Sequence, residues 1–368
     1  MAPVKPDLLI VGAGVIGLMA GYEAAKRGAR VDIMERNAQA GREASWAAAG
    51  FLRQRITTDD PYGWLAQTSM QAYPRLAAEL MDASGIDPEY RACGGLQIAL
   101  TEASRESLRR LAEFQQSRGV SVEWMEPRGV VEMEPLLTPN SLGGCFYPGD
   151  AQIRPPRFLR ALASAFERLG GKIHLGEAAV RLLFEKDRCV GAEAETHERR
   201  AQTTLLAAGC WSGELAERAG LFLPARPVRG QVLRMEAPPG ALSRVVSAEE
   251  TYLAQRADGT FIVGATVEEA GFDKSVTAEG VERLRTGAFR AAPGLKGGRV
   301  LQAWAGLRPA PARRYPYIGE LRPGLWVATG HYKVGWLLAP ATARIIADGI
   351  LTGETPVPLD DFNPERDR

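Results

Sequence analysis

Short apolar runs alternate with longer stretches of helical spacing along most of the chain. Asp7-Leu8-Leu9-Ile10-Val11 has the length and character of a buried strand, and Gly12-Ala13-Gly14-Val15-Ile16-Gly17 follows it directly. Helical residues Leu18 to Arg27 come next, stop at Gly28, and give way to a second strand, Arg30 to Met34, that ends in Glu35. Trp64, Leu65, Met70, Leu76, Leu80 and Met81 recur at spacings of three and four, which predicts a helix over 60–84. Leu96–Leu100 reads as a strand, Thr101-Glu102-Ala103-Ser104 caps a helix running toward Gly119, and a short helix is expected over 130–135. Pro155-Pro156 opens a helix that closes at Gly170-Gly171. A strand set follows, with 172–175, Val180, 188–194 and 203–207 as members. From Val228 to Ala265 the pattern is strand-like, with turns at Pro238-Pro239-Gly240 and Asp258-Gly259. A helix over 278–291, strands over 301–307 and 325–328, and a last helix after Gly335 complete the reading. This alternation predicts a mixed α/β chain. One domain is assembled from 1–85, 145–222 and 305–368, and a strand-rich domain from 86–144 and 223–304 interrupts it.

The first of these units is chemically specific. A strand, a Gly-x-Gly-x-x-Gly turn, a helix and a second strand ending in an acid make up a dinucleotide-binding unit. Gly12 permits the tight turn, Gly14 lets a pyrophosphate approach the backbone, and Gly17 lets helix and strand pack closely. The helix start at Val15 and Ile16 offers unpaired N–H groups to phosphate. Glu35, with Arg36 beside it, stands where a carboxylate holds the hydroxyls of an adenosine ribose.

Composition narrows the setting. Lys+Arg 45 against Asp+Glu 44 gives no bulk field that would draw nucleic acid or an anionic membrane, so each arginine is judged singly. Four scattered cysteines and three histidines suggest neither a disulfide framework nor a metal site. Val334–Leu351 is the longest apolar stretch, but Arg344 and Asp348 interrupt it, and no membrane span is expected. Met1–Pro6 leads straight into the first strand, so no signal peptide is expected and a cytoplasmic location is the default reading.

The glycine fingerprint alone does not separate NAD from FAD. FAD is favoured by the unit's place at the N-terminus, by a second small-residue turn at Ala208-Gly209, and by a third at Thr329-Gly330-His331-Tyr332-Lys333-Val334-Gly335. That last turn precedes a helix whose N-terminus would place positive potential at a flavin ring. A resemblance joins these segments. Gly41-Arg42 with 45–52, Gly209 with Trp211-Ser212-Gly213, Trp304-Ala305-Gly306-Leu307-Arg308-Pro309, Pro316-Tyr317-Ile318-Gly319, and Gly330-His331 with Gly335 and 337–342 look like the D-amino-acid-oxidase-type flavoproteins. Within them the chain is most similar to the bacterial glycine oxidase branch that serves thiazole (thiamine) biosynthesis.

The resemblance implies a Rossmann-like FAD-binding domain of the glutathione-reductase type with an interleaved strand-rich substrate domain. It implies non-covalent FAD, with Arg42 and Ser45 at the pyrophosphate and Ala48, Ala49 and Gly50 along the isoalloxazine. Val180 would meet the adenine through its backbone. Ala208, Gly209 and Trp211, and the turn from Gly330 through His331, Tyr332, Lys333, Val334 and Gly335 to Trp336, would complete the cofactor site. The implied reaction is oxidation of glycine, sarcosine or D-alanine by hydride transfer from Cα to flavin N5, with O2 becoming H2O2. No protein acid or base is required, so the protein's task is to orient the substrate. Arg308 is the candidate carboxylate clamp, because a guanidinium offers a planar, two-pronged donor; its alternative is a solvated surface arginine. Tyr252 would line the pocket or serve only as a cross-strand packing residue. Lys333 stands where glycine oxidases tend to carry arginine, Phe51 where methionine is usual, and Glu250 where a histidine can occur. A ring at position 51 would narrow a small-amine site. Glu250 would attract a substrate ammonium or be solvated.

Two other functions compete with an oxidase. One is a D-amino-acid dehydrogenase that passes electrons to a quinone or carrier. The other is a flavin-binding scaffold with a degenerate pocket. The resemblance also implies a homo-oligomer, as in tetrameric relatives, and hand-over of the imine to a thiazole synthase.

Overall fold

Leu8, Leu9 and Ile10 are fully buried, which a strand achieves only when both its faces are covered. A computed structural model, describing residues 5–53, 59–237 and 241–368, places Leu8–Val11 centrally in a six-stranded sheet. The order across this sheet is 317–322, 325–329, 203–206, 8–11, 31–35 and 172–175. All neighbours are parallel except 317–322, which turns back on 325–329. Helices Val15–Lys26, Pro155–Arg168 and Gly335–Thr352 cover one face, and a three-stranded meander from 181 to 200 with helix Ser212–Arg218 covers the other. The fold class is the mixed α/β arrangement that the alternation predicts.

A second sheet of eight strands runs in the order 300–310, 226–236, 260–264, 251–255, 245–248, 95–98, 144–147 and 123–125. Helix Ala278–Ala291 packs against it, beginning at Thr277, whose hydroxyl accepts from the Gly280 N–H. Two expected domain boundaries are corrected here. Those at 145 and 305 fall inside Gly144–Tyr147 and Val300–Ala310, both strands of this sheet. The expected strand set over 172–207 is likewise two sets. Lys172–Leu175 and Thr203–Leu206 join the parallel sheet, while the strands between them form the separate meander. Val180 precedes the meander instead of belonging to it. The turn expected at Pro238-Pro239-Gly240 lies outside the described residues.

The last helix has the length and apolarity to cross a membrane, yet it is a core element packed against Val15–Lys26 and Pro61–Ser84. Its Pro340 has no N–H for the Trp336 carbonyl one turn back. The neighbouring helix repairs the loss. The Tyr73 hydroxyl donates to the Trp336 carbonyl, and Ser69 Oγ accepts from the Ala341 N–H at 3.0 Å. Both side chains are fully buried, so no water can substitute. Tyr73→Phe should therefore cost about 1–3 kcal/mol by orphaning that carbonyl. Equilibrium denaturation measures it, and a loss within error would show that the carbonyl finds another donor.

Candidate active site

The two sheets meet around a cavity of about 900 Å3 that runs from Glu35 to Arg308. The glycine turn forms one end. Gly12 sits at φ 109°, and a Cβ there would come 2.6 Å from the Ala207 carbonyl oxygen of the next parallel strand. Gly17 does not line the cavity; it lies against the Gly12 carbonyl, the close packing that the motif requires. Gly14, Val15 and Ile16 line the wall, and Ser45 Oγ accepts from the Val15 N–H at 2.9 Å. Glu35 is buried at the end of its strand. One carboxylate oxygen accepts from the Ala13 N–H at 2.9 Å and the other from Asn37 N–H and Nδ2 at 2.9 and 2.8 Å. It thus ties the turn to the second strand while facing the cavity.

The long wall is a backbone ribbon. Helix Ala44–Ala47 ends at Ala48, which is already extended (φ −71°, ψ 152°), and Ala48, Ala49, Gly50 and Phe51 continue along the cavity. Side chains distant in sequence satisfy its carbonyls. Trp336 Nε1 donates to Ser45 O at 2.9 Å, Trp304 Nε1 to Ala47 O at 3.0 Å, and the Arg256 guanidinium to Ala49 O. Arg256 also donates to Ile153 O at 2.8 Å, and burial pushes its pKa down to about 10. Nothing in the sequence pattern singled out Arg256; its only signal was a cation at the end of an apolar strand before a turn.

Opposite the ribbon, Ala208, Gly209 and Trp211 line the wall, with the Arg36 guanidinium 4.5 Å from the Trp211 ring. Residues His331 through Trp336 line the far part, where helix Gly335–Thr352 begins without a side-chain cap. Its free N–H groups give this wall a positive character. Gly330 itself lies behind the wall against the Tyr317 ring. His331 is buried, with Nε2 3.1 Å from Thr342 Oγ1 and Nδ1 without a partner among the described residues. Burial pushes its pKa down to about 3, so the ring is neutral. Lys333 is exposed, with Nζ over the Tyr332 ring at the cavity's edge.

At the remaining end Arg308 lies within its strand, paired in register with Val228, because the strand expected to finish at Leu307 continues to Ala310. Its guanidinium crosses Gly230, where any Cβ would collide with it, and donates to Thr266 O at 3.0 Å. Among the described residues no carboxylate pairs with it. Tyr252 faces Gly264 across the sheet in the same way, and its ring meets Phe51 edge-on at 4.7 Å. Burial holds the Tyr252 hydroxyl above its ordinary range, so it stays protonated. Glu250, on the cavity wall, is exposed and pairs with Arg283.

Besides Gly17 and Gly330, Val180 also falls outside the cavity lining. Val180 donates its N–H to Glu193 O at 2.8 Å, and its carbonyl accepts from Arg218 at 2.9 Å. The N–H is spent on the meander and the carbonyl on the last residue of helix Ser212–Arg218, and Glu177, Ala178 and Ala179 line the wall instead. Arg199 grips Glu177 with two bonds of 2.6 Å and pushes its pKa down to about 2. Cys210, also on the wall, is held protonated, its pKa pushed up to about 12 by burial.

An elongated cavity with a glycine turn, a buried acid at the end of the second strand and a helix N-terminus has the parts that an extended flavin dinucleotide requires, and the orphaned His331 Nδ1 offers a polar partner for a ring edge. Residues 7–349 match the family model described as FAD dependent oxidoreductase. The chain belongs to that family of FAD-dependent oxidoreductases. It is 37% identical over 367 residues to a glycine oxidase of Pseudomonas aeruginosa, covering 95% of this chain and 96% of the relative. It is 34% identical to a bifunctional protein ThiO/ThiG of Nostoc, covering 98% of this chain but 55% of that longer protein. The crystal structure of glycine oxidase from Geobacillus kaustophilus superposes with a TM-score of 0.93 at 34% identity and covers 98% of both chains.

Two outcomes follow from this oxidoreductase's cofactor end. Glu35→Ala removes the acceptor for the Ala13 N–H and the carboxylate that lines the cavity together, so FAD should be lost on dialysis; full retention by absorbance would remove Glu35 from the site. His331 binds a proton in the unfolded chain near its ordinary 6.5 but in the folded protein only near 3. Folding stability should therefore fall as pH drops below about 6.5. The slope between pH 6.5 and 5 should be shallower in His331→Gln, and equal slopes in thermal unfolding would refute this origin.

Proposed function

We propose that this protein oxidises glycine or another small amino acid, such as sarcosine or D-alanine, at Cα, giving the imine and then the oxo acid and, with O2, H2O2. The doubly wound layer would hold FAD, with the residues from Gly12 to Ile16, Glu35, Arg36, Arg42, Ser45, the 48–50 ribbon, Ala208, Gly209, Trp211 and 331–336 around it. The eight-stranded layer would hold the substrate. When bound, FAD supplies the acceptor for the substrate's hydride. The chain's own residues orient what reacts.

The observation that carries the reading is Arg308. A cation faces the cavity with carbonyl oxygens behind it and, among the described residues, no carboxylate paired with it, in a strand whose partner gives way at Gly230 to admit it. Such a group recognises a carboxylate with two parallel bonds. The Tyr252 hydroxyl, kept protonated, is a further donor at this end. The edge-on pair of Phe51 and Tyr252 narrows the cavity there, which suits a substrate with little or no side chain. Lys333, exposed at the rim, would add attraction for an anionic substrate without a fixed contact.

The glycine oxidases among the relatives support the substrate class, and the fused relative supports direct hand-over of the imine to a thiazole synthase. Four free cysteines support a reducing, cytoplasmic setting.

A peroxide assay of the yellow protein over a panel of small amino acids tests the activity. Silence toward the whole panel, with no anaerobic bleaching, would end the proposal. Arg308→Ala should raise KM by about 30-fold or more, the cost of removing one side of a sequestered ion pair, with the flavin spectrum intact. Gly230→Ala should imitate it by displacing the guanidinium. An unchanged KM in both would take Arg308 out of substrate binding.

A further inference from the structure

Behind the ribbon lies a second cavity of about 690 Å3, which meets the first only at Arg42 and Ala48. Six arginines line it: Arg42, Arg154, Arg157, Arg160, Arg234 and Arg256. Glu167 is the one carboxylate on its wall. Glu89 and Asp258, just outside, account for Arg154 and Arg157 at 3.1–3.2 Å, and Asp258 reaches Arg234 only at 3.8 Å. Arg42, Arg160 and Arg256 pair with no carboxylate among the described residues, and the Nε of Arg234 is buried without a partner. Arg256, itself more than nine-tenths buried, spends its donors on carbonyl and amide oxygens. A cluster of cations this close is self-repelling unless an anion joins it. Gln39, Ser164, Thr260 and Gln302 add polar groups, and the remaining wall is apolar and partly flat, with Trp46, Trp304, Ile262, Leu159 and Ile173 among its residues. Its size is that of a small-molecule site.

We infer that this second cavity binds a phosphate-bearing small molecule with a flat apolar body. Guanidinium groups match phosphate oxygens in forked pairs, and Trp304 offers a face to a ring. The occupant would touch the outer side of the same ribbon whose inner side lines the cofactor cavity, through Ala48 and the Arg42 that stacks over Trp46 at 4.8 Å.

The test is calorimetric titration of the FAD-saturated protein with phenyl phosphate and, separately, inorganic phosphate, while flavin absorbance is followed. It requires no turnover, so it stands apart from the assignment of the substrate. Phenyl phosphate should bind at one site without releasing flavin, and about tenfold more tightly than inorganic phosphate. Arg160→Ala combined with Arg234→Ala should weaken it by about tenfold or more and leave FAD content and glycine oxidation as they were. Arg160→Glu alone, at an exposed position without an ion pair, carries the same expectation should the double variant fold poorly. The inference is overturned by an absence of binding, by equal affinity for the two ligands, by flavin release on titration, or by affinity indifferent to these substitutions.

Discussion

The carbonyls of Ser45, Ala47 and Ala49 belong to neither sheet, and the architecture depends on how they are satisfied. A ribbon that crosses between two layers has no ladder to supply its hydrogen bonds, and each buried orphan costs about 1–3 kcal/mol. Three of them would consume a substantial part of the roughly 5–15 kcal/mol that stabilises a folded protein. Trp336 from the last helix, Trp304 from the eight-stranded sheet and Arg256, just beyond the sheet's strand Thr251–Gln255, each donate to one. Those same bonds join the layers, so the cavity between them has a fixed width. The cost is a buried guanidinium, depressed in pKa and tolerated because oxygens surround it.

The last helix shows the same economy at a different point. Pro340 frees two backbone groups in its first turns, and Tyr73 and Ser69 take them up from the adjacent helix. The N-terminus is thereby held against the cavity, where its uncapped N–H groups matter electrostatically. His331, one turn earlier, stays neutral because burial denies it a proton, so the positive potential at this wall comes from backbone dipoles and not from an imidazolium.

Local chemistry was legible in the sequence, and non-local accommodation was not. The unit from Leu8 to Glu35 is contiguous, and its glycine spacing carries its geometry, so turn, helix and acid stand where the pattern put them. The helices over 61–84, 102–117 and 278–291 follow from caps and periodicity for the same reason. Arg308 stood out as a cation at the end of an apolar strand, before Pro309, but Gly230, the residue that makes room for it, has no mark of its own until the two strands are paired. Val180 is the converse case. Its sequence position is right for the cavity, yet Glu193 and Arg218 claim its backbone groups from elsewhere in the fold. The strand Tyr317–Arg322 escaped notice because its outer half alternates into solvent, with Glu320 and Arg322 among its residues. The boundaries at 145 and 305 failed because a strand at a sheet junction carries no compositional change.

One consequence concerns how the two cavities communicate. They share a wall one backbone thick, and Arg42 and Ala48 face both. Hydrogen bonds at three of its carbonyls tie this ribbon to Trp304, Trp336 and Arg256. Trp336 lies in the opening turn of the helix whose N-terminus meets the inner cavity, and Trp304 lies on the strand that carries Arg308. An anion drawn to the outer arginines would therefore adjoin the two elements that carry the helix N-terminus and Arg308. Any such coupling is reciprocal by thermodynamic necessity, so cofactor binding would alter the outer site's affinity by the same factor as the outer ligand alters the cofactor's.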